Sequence, residues 1–538
     1  MPEYGKVESS EHGDPMADNQ IEELPEPESW GVYLRRLASK VIAPELIDPS
    51  SSQLRLLFAC KGVRMFSFGF LAVMLVTYLA TLGLDAKQIG LIFTLTLVGD
   101  AAISLFIVSN ADVFGRRKML MVGASLSLIT SFFFALESNY WLLVVFATFG
   151  VISPSGNEVG PFMAIELSAI AQLTKEEART SLMAWYNLVG SFSSALGALF
   201  CGGLLEVLSS VMGAEALAAN PHAPYRVVML LYAFIQGLKL FFFSRLGPEV
   251  EVPDSTKVKA KDSPVKLFMG LHKSKLVVLK LCALFSLDSF AGSLILQSII
   301  SHWFHLKFFT SAGTIGTIVF VCNVIAGISA LLAVRIAQAI GLILTMVVTH
   351  LPSNVLTILV PIMPTQTSAI IMLFCRYSIS QMDVPTRNAF VQNVVDADER
   401  SAANGLTNVT RSIGASLGPL LAGLLFATYG GSSGFPFFIA GGLKIVYDLL
   451  LLYSMQNYTG SGTQSSSFSS TSEATPAKKA TEPEESQIDV VEFSPLSLVL
   501  NRGIQGTDVD DDDVLNADEV KGGGPKGGEK NEEFVAHF

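Results

Sequence analysis

Residues 99–118, GDAAISLFIVSNADVFGRRK, join an apolar helical stretch carrying one acid to a tight, strongly basic turn. Asp100 lies about a dozen residues into an apolar run that begins at Gln88, so the spacing predicts a bilayer-spanning helix with an acid near its middle. The helix is expected to end at Asp112. Val113, Phe114 and Gly115 then turn the chain, and Arg116, Arg117 and Lys118 follow at once. A hydrated basic cluster so close to a hydrocarbon segment predicts a cytoplasmic loop.

This run resembles motif A of the major facilitator superfamily, a short loop between the second and third helices that carries an acid, a glycine and basic residues. Asp112, Gly115, Arg116 and Arg117 match it, while Val108 stands where the motif has glycine. The resemblance implies that Asp112 and the basic residues form a charge network that locks a cytoplasmic gate. The basic turn also has a plainer reading, as an orienting and capping device.

Half of the 538 residues are apolar, yet both ends are polar. Setting aside residues 1–53 and 457–538 leaves a core long enough for twelve helices at about 34 residues per helix and loop. The net charge of −11 comes largely from the tails and reports on their solubility. Cys60, Cys201, Cys282, Cys322 and Cys375 all fall in apolar segments, with neither zinc spacing nor a secreted disulfide framework. Residues 1–29 are acidic and show no signal peptide. In the N-terminal region 1–53, Trp30, Tyr33, Leu34, Leu37 and Val41 recur at helical spacing between Arg35, Arg36 and Lys40. Residues 30–42 therefore read as an amphipathic helix, either on an anionic inner leaflet or solvated.

Expected spans are 57–82, 88–109, 119–137, 141–170, 181–208, 225–245, 277–304, 311–336, 342–363, 367–394, 401–428 and 435–456. Lys and Arg concentrate in one set of loops, including residues 116–118, Lys175, Arg179, Arg245 and Arg400, whereas the opposite loops offer only Lys87, Arg226 and Lys307. Both termini and the central linker 247–275 are thus expected in the cytoplasm.

The chain also repeats itself. An offset of 226 aligns Ala86, Ile89, Gly90 and Gly115 with Ala312, Ile315, Gly316 and Gly341, and one of 221 aligns Arg179, Asn187, Gly197 and Gly202 with Arg400, Asn408, Gly418 and Gly423. An offset of 205 sets Gly237, Leu238 and Lys239 on Gly442, Leu443 and Lys444. Three blocks in one order predict two pseudo-symmetric six-helix bundles, 54–246 and 276–456. The fold class is therefore an all-α integral membrane protein with twelve transmembrane helices. The second half lacks the charged turn, since Gln338, Leu342 and Ile343 stand for Asp112, Arg116 and Arg117.

Charges inside the membrane each cost several kcal/mol unless paired or facing a wet cavity, so they are the site candidates. Glu158 and Asp383 are read as equivalent acids of the fourth and tenth spans, in helices that Pro154, Pro161 and Pro385 bend. Arg387 shares a helix face with Asp383, which also allows a plain internal ion pair. Arg411 is expected to partner an anionic group or Asp383. Asp288, with Gln297 further along the seventh span, and Asp100 complete the set of protonatable candidates and their polar neighbours. Arg64, Lys239 and Lys444 lie toward the cytoplasmic ends and are expected to snorkel to the interface.

The tail 457–538, rich in Ser, Thr, Gly, Glu and Asp, reads as disordered and cytoplasmic. No Gly-rich phosphate loop, cofactor motif, metal-ligand spacing or nucleic-acid-binding pattern is visible, so neither hydrolysis-driven transport nor enzymatic chemistry is indicated. NEVGP (157–161) and DVPTRNAF (383–390) resemble a bacterial and fungal efflux-type subgroup of the superfamily. The resemblance implies export of a small organic molecule in exchange for protons; the protein is expected to be a monomer in the plasma membrane or an internal organelle membrane. A passive facilitator, or a membrane sensor signalling through the tail, remains as the alternative.

Overall fold

The computed structural model describes residues 52–155, 160–251, 274–395 and 399–455. The expected amphipathic helix, most of the central linker, Glu158 and the tail lie outside the described residues. Within them are fifteen α-helices and two single 3-10 turns, with no strand. The first half holds α1 (Ser52–Thr81), α2 (Ala86–Phe114), α3 (Arg116–Leu136), α4 (Tyr140–Phe149), α5 (Phe162–Leu173), α6 (Glu176–Ala219) and α7 (Ala223–Ser244). The second holds α8 (Lys275–Ser293), α9 (Gln297–Phe308), α10 (Ala312–Ile340), α11 (Leu342–Leu359), α12 (Gln366–Ser380), α13 (Asp383–Val394), α14 (Arg400–Tyr429) and α15 (Phe435–Met455).

Among the described residues, ten stretches are long and apolar enough to cross a membrane, one of them being α8 with α9. The fourth and tenth expected spans are instead each built from two shorter helices. Residues 150–161 separate α4 from α5, and Gln381 and Met382 separate α12 from α13. Proline explains the first break, because Pro154 and Pro161 remove backbone donors where the ladder would run. Pro385 falls in the first turn of α13, where its missing N–H costs nothing. Non-helical backbone at membrane depth survives only inside protein or beside a cavity, and residues 151–155 are indeed buried. The loop expected after residue 208 is helical to Ala219, with a kink where Gly213 takes φ 77°.

Caps fix the helix starts: Asp85 and Gln88 form a reciprocal capping box on α2, and Ser311 accepts from the Thr314 amide on α10. Gly115 (φ 106°) joins α2 to α3 and Gly341 (φ 87°) joins α10 to α11, in a backbone region that side chains disfavour. These two turns mark one end of the bundle, called here the basic end after the cations that crowd it.

Toward the opposite end the two halves meet at two glycine contacts that the sequence repeat relates to each other. A Cβ on Gly423 would lie 2.3 Å from the Ala86 carbonyl and 3.2 Å from Gly90 Cα; one on Gly202 would lie 2.5 Å from the Ala312 carbonyl and 2.8 Å from Gly316 Cα. Small residues thus let α2 pack on α14 and α6 on α10 backbone to backbone. Hydrogen bonds joining the halves gather at the same level: Ser301 Oγ donates to the Ala72 carbonyl (2.8 Å), the Leu420 amide to Thr94 Oγ1 (3.1 Å) and the Gly313 amide to Glu206 (2.9 Å). One apolar core spans both halves there, from Leu71, Leu75 and Ile92 to Leu294, Trp303 and Ile315.

The basic end is built differently. Its core around Val278, Phe285, Met346, Phe390 and Leu451 draws on second-half residues alone. Asn187 and Asn408, repeat equivalents on α6 and α14, are exposed. The two halves are thus packed on each other toward the opposite end.

Candidate functional site

Two buried ionic clusters occupy the basic halves of the bundle. In the first half, Arg64 on α1 makes a two-pronged bond to Glu166 on α5, with both N–O distances 2.7 Å, and Tyr186 on α6 donates to the same carboxylate. Arg64 and Glu166 are both fully buried. Lys239 on α7 is buried too; its Nζ has no hydrogen-bond partner and lies 4.3 Å from the Phe162 ring. In the second half, Asp288 on α8 accepts from Lys444 Nζ on α15 at 2.6 Å and from Arg387 Nη1 on α13 at 3.4 Å. The same Arg387 nitrogen donates to Asp383 at 2.9 Å.

The clusters are repeat equivalents with the charges exchanged. Gly197 packs on the Phe66 carbonyl as Gly418 packs on that of Phe290, which places Arg64 where Asp288 stands. Arg179 Nε caps the Ala171 carbonyl as Arg400 Nε caps that of Gln392; Glu166 and Arg387 each lie five residues before those carbonyls. A cation on α1 and an anion on α5 therefore answer to an anion on α8 and a cation on α13. Lys239 and Lys444 keep their sign, so Lys444 finds Asp288 whereas Lys239 finds Arg64 and goes unpaired.

The second cluster extends outward. His350 Nδ1 on α11 lies 2.8 Å from Asp448 Oδ1, Asn354 Nδ2 donates to Asp448 Oδ2 at 2.7 Å, and His350 Nε2 lies 3.5 Å from Lys444 Nζ. Among the buried groups, three carboxylates (Asp288, Asp383, Asp448) face two basic side chains (Arg387, Lys444) and one imidazole. Arg411 on α14, held by Ser289 next to Asp288, adds a third basic side chain beside Asp288 and Asp383, so three carboxylates meet three basic groups and an imidazole.

Several expectations are corrected. Arg64, Lys239 and Lys444 do not snorkel; packing encloses them, and two of the three are paired. Arg411 does not reach Asp383: its Nε donates to Ser289 Oγ at 3.3 Å, because Arg387 already occupies the acid. The repeat register sets Phe162, not Glu158, opposite Asp383. Asp100 joins neither cluster; its Oδ2 accepts from the Gly160 amide at 3.1 Å, tying α2 to the break in the fourth span. Gln297, at the break in the seventh span, donates to Asn323 Oδ1 at 3.1 Å, and Asn323 reaches Ser194 across the halves at 3.4 Å.

The basic turn does form a charge network, but within the first half. Arg116 Nε donates to Asp112 at 3.0 Å and its Nη1 to Gln172 at 2.9 Å. The Glu251 carboxylate accepts from the backbone amides of Arg116 (2.7 Å) and Arg117 (3.1 Å), an anion seated on the N-terminus of α3. Gly115 makes room for it, since a Cβ there would lie 3.1 Å from Glu251 Oε1. Glu251→Gln is expected to cost about 1 kcal/mol, the worth of a carboxylate at a helix N-terminus. Thermal unfolding in detergent checks this; an unchanged midpoint refutes the cap.

Sequence reading missed Glu166, Tyr186, His350, Asn354 and Asp448. Asp448 carried a signal, being four residues after Lys444 on one helix face. Glu166 and His350 carried none beyond polarity in an apolar run.

A family model described as Major Facilitator Superfamily matches residues 57–419. The uncharacterized membrane protein YJR124C of Saccharomyces cerevisiae is 29% identical over 436 residues, covering 76% of this chain and 96% of that protein. Among solved structures, the nucleoside transporter NupG aligns with a TM-score of 0.61 at 13% identity, over 75% of this chain and 99% of that one. A D-xylose-proton symporter aligns with a TM-score of 0.59 at 15% identity, over 74% and 96% respectively.

Proposed function

Because the chain belongs to the Major Facilitator Superfamily, whose members are membrane transporters, we propose that it moves a small organic molecule across a bilayer by alternating access, coupled to protons. The two bundles, 54–246 and 276–456, rock about the paired glycine contacts, with the basic end cytoplasmic under the positive-inside rule. In this reading, packing at the glycine contacts belongs to the state that admits solute from the cytoplasm. Export in exchange for protons is the direction that the resemblance of the NEVGP and DVPTRNAF segments implies.

One observation carries the coupling: the second-half cluster links carboxylates, basic side chains and an imidazole through shared hydrogen bonds, and its members sit on α8, α11, α13 and α15 together. Protonation loosens Asp288 from Lys444 and Arg387, and those contacts tie α8 to α15 and α13. A proton can thus change how the helices of the second half hold one another. The first cluster, with polarity reversed and no imidazole, is a fixed brace. The Asp112, Arg116 and Arg117 network, held on Glu251 here, is free to re-form across the cytoplasmic gate when the halves close.

Metabolite profiles inside and outside cells with and without the protein identify the solute; proteoliposomes then test coupling. One pH unit corresponds to about 1.4 kcal/mol, so a one-proton exchanger builds up to a tenfold solute gradient per unit. Asp288→Asn is expected to abolish that accumulation while downhill exchange of solute continues. Full accumulation by Asp288→Asn refutes the coupling. A passive facilitator is the second reading, favoured by the fact that Asp288 and Asp383 both already have cationic partners. It predicts no accumulation by the unaltered protein under any pH gradient.

A further inference from the structure

Between α3 and α7, on the outside of the first half, runs a groove of about 520 Å³ lined by Leu128, Phe132, Leu230, Phe234, Gly237 and Phe241. It belongs to neither ionic cluster. Phe132, Leu230, Phe234 and Phe241 are exposed, as side chains facing hydrocarbon are. Gly237 holds the groove open, since a Cβ there would meet only Leu128 Cδ1, at 4.0 Å.

At the basic end the groove runs into two guanidinium groups. Arg245 is exposed and lies over the Phe241 ring at 4.7 Å. Arg117 stands about three turns before Leu128 on the same face of α3, and its Nη2 donates to the Ser244 carbonyl at 2.6 Å, directly beside Arg245. The second half supplies an internal comparison: in the corresponding places it keeps the glycine, Gly442, but has Ile343 and Leu450 for the arginines. The cationic mouth is thus not a requirement of the fold.

We propose that this groove binds one acyl chain of an anionic phospholipid whose phosphate sits between Arg117 and Arg245. Planar guanidinium groups match phosphate oxygens, and an apolar trough leading away from them matches the chain. A second copy of the protein is a poorer occupant, because a twofold contact on this face brings the same cationic mouths together.

The test is native mass spectrometry of the purified full chain with phosphatidylglycerol or phosphatidylcholine of identical acyl chains. The unaltered protein is expected to retain one phosphatidylglycerol in preference to phosphatidylcholine, by about fivefold for each arginine engaged. Arg245→Gln is expected to lose most of that preference, and Gly237→Leu to lose retention of both lipids. Gly237→Ala, which barely narrows the groove, is expected to keep both and controls for folding. Equal retention of the two lipids, undiminished retention by Gly237→Leu, or a dimer that masks the face without bound lipid overturns the proposal.

Discussion

Arg64→Ala is expected to destabilise the first half by about 3–5 kcal/mol, the cost of leaving a buried carboxylate without its cation. Both side chains of the Arg64 and Glu166 pair are shut away from solvent, and the bond is two-pronged, so no water stands ready to replace the guanidinium. Glu166→Gln is expected to hurt as well, because it adds an unmatched Arg64 to the buried cation Lys239. The double replacement Arg64→Met with Glu166→Leu should recover most of the loss, since apolar side chains of similar volume often serve as well as a buried pair. Thermal unfolding in detergent reads all three. If Arg64→Ala unfolds at the same temperature as the unaltered chain, the brace does not exist.

Gly202→Leu is expected to abolish transport while leaving each half folded. Its side chain would be built into the Ala312 carbonyl and the backbone of Gly316, neither of which is a flexible side chain that can move aside. Overpacking of this kind costs about 1–3 kcal/mol and falls only on the state in which the opposite end is closed, so the population shifts by about 5- to 150-fold toward opening there. Gly203→Leu, one residue on, has nothing within 4 Å of its Cβ and should transport normally. A Thr77→Cys reporter, buried at the closed end beside His302, should label faster in the Gly202→Leu background. Equal labelling and equal transport for the two leucine variants would dismiss the glycine contacts as the pivot of alternating access.

Ten of the twelve expected spans, the glycine turns at 115 and 341 and the offsets between halves were legible in the sequence. Each is a local property, in that hydropathy, backbone freedom and spacing are carried by neighbouring residues. The pairing of Asp383 with Arg387 was legible for the same reason, four residues being one turn. The snorkelling expected of Arg64, Lys239 and Lys444 failed because distance along a helix measures depth in the bilayer, not lateral enclosure by other helices. Arg411 was a second possible partner for Asp383, and spacing along one helix does not show which of two arginines on different helices reaches the acid.

Repetition in the chain therefore established a duplicated helical bundle, and its intramembrane charges established that something other than lipid must surround them. Tertiary structure alone decided that the duplicated ionic pair runs plus-to-minus in one half and minus-to-plus in the other. It alone decided that His350 and Asp448 join the second cluster and that the glycine contacts bring the two halves together at one end. The reason is range. Arg64 and Glu166 are 102 positions apart and His350 and Asp448 are 98, so only the packing of whole helices brings each partner to the other.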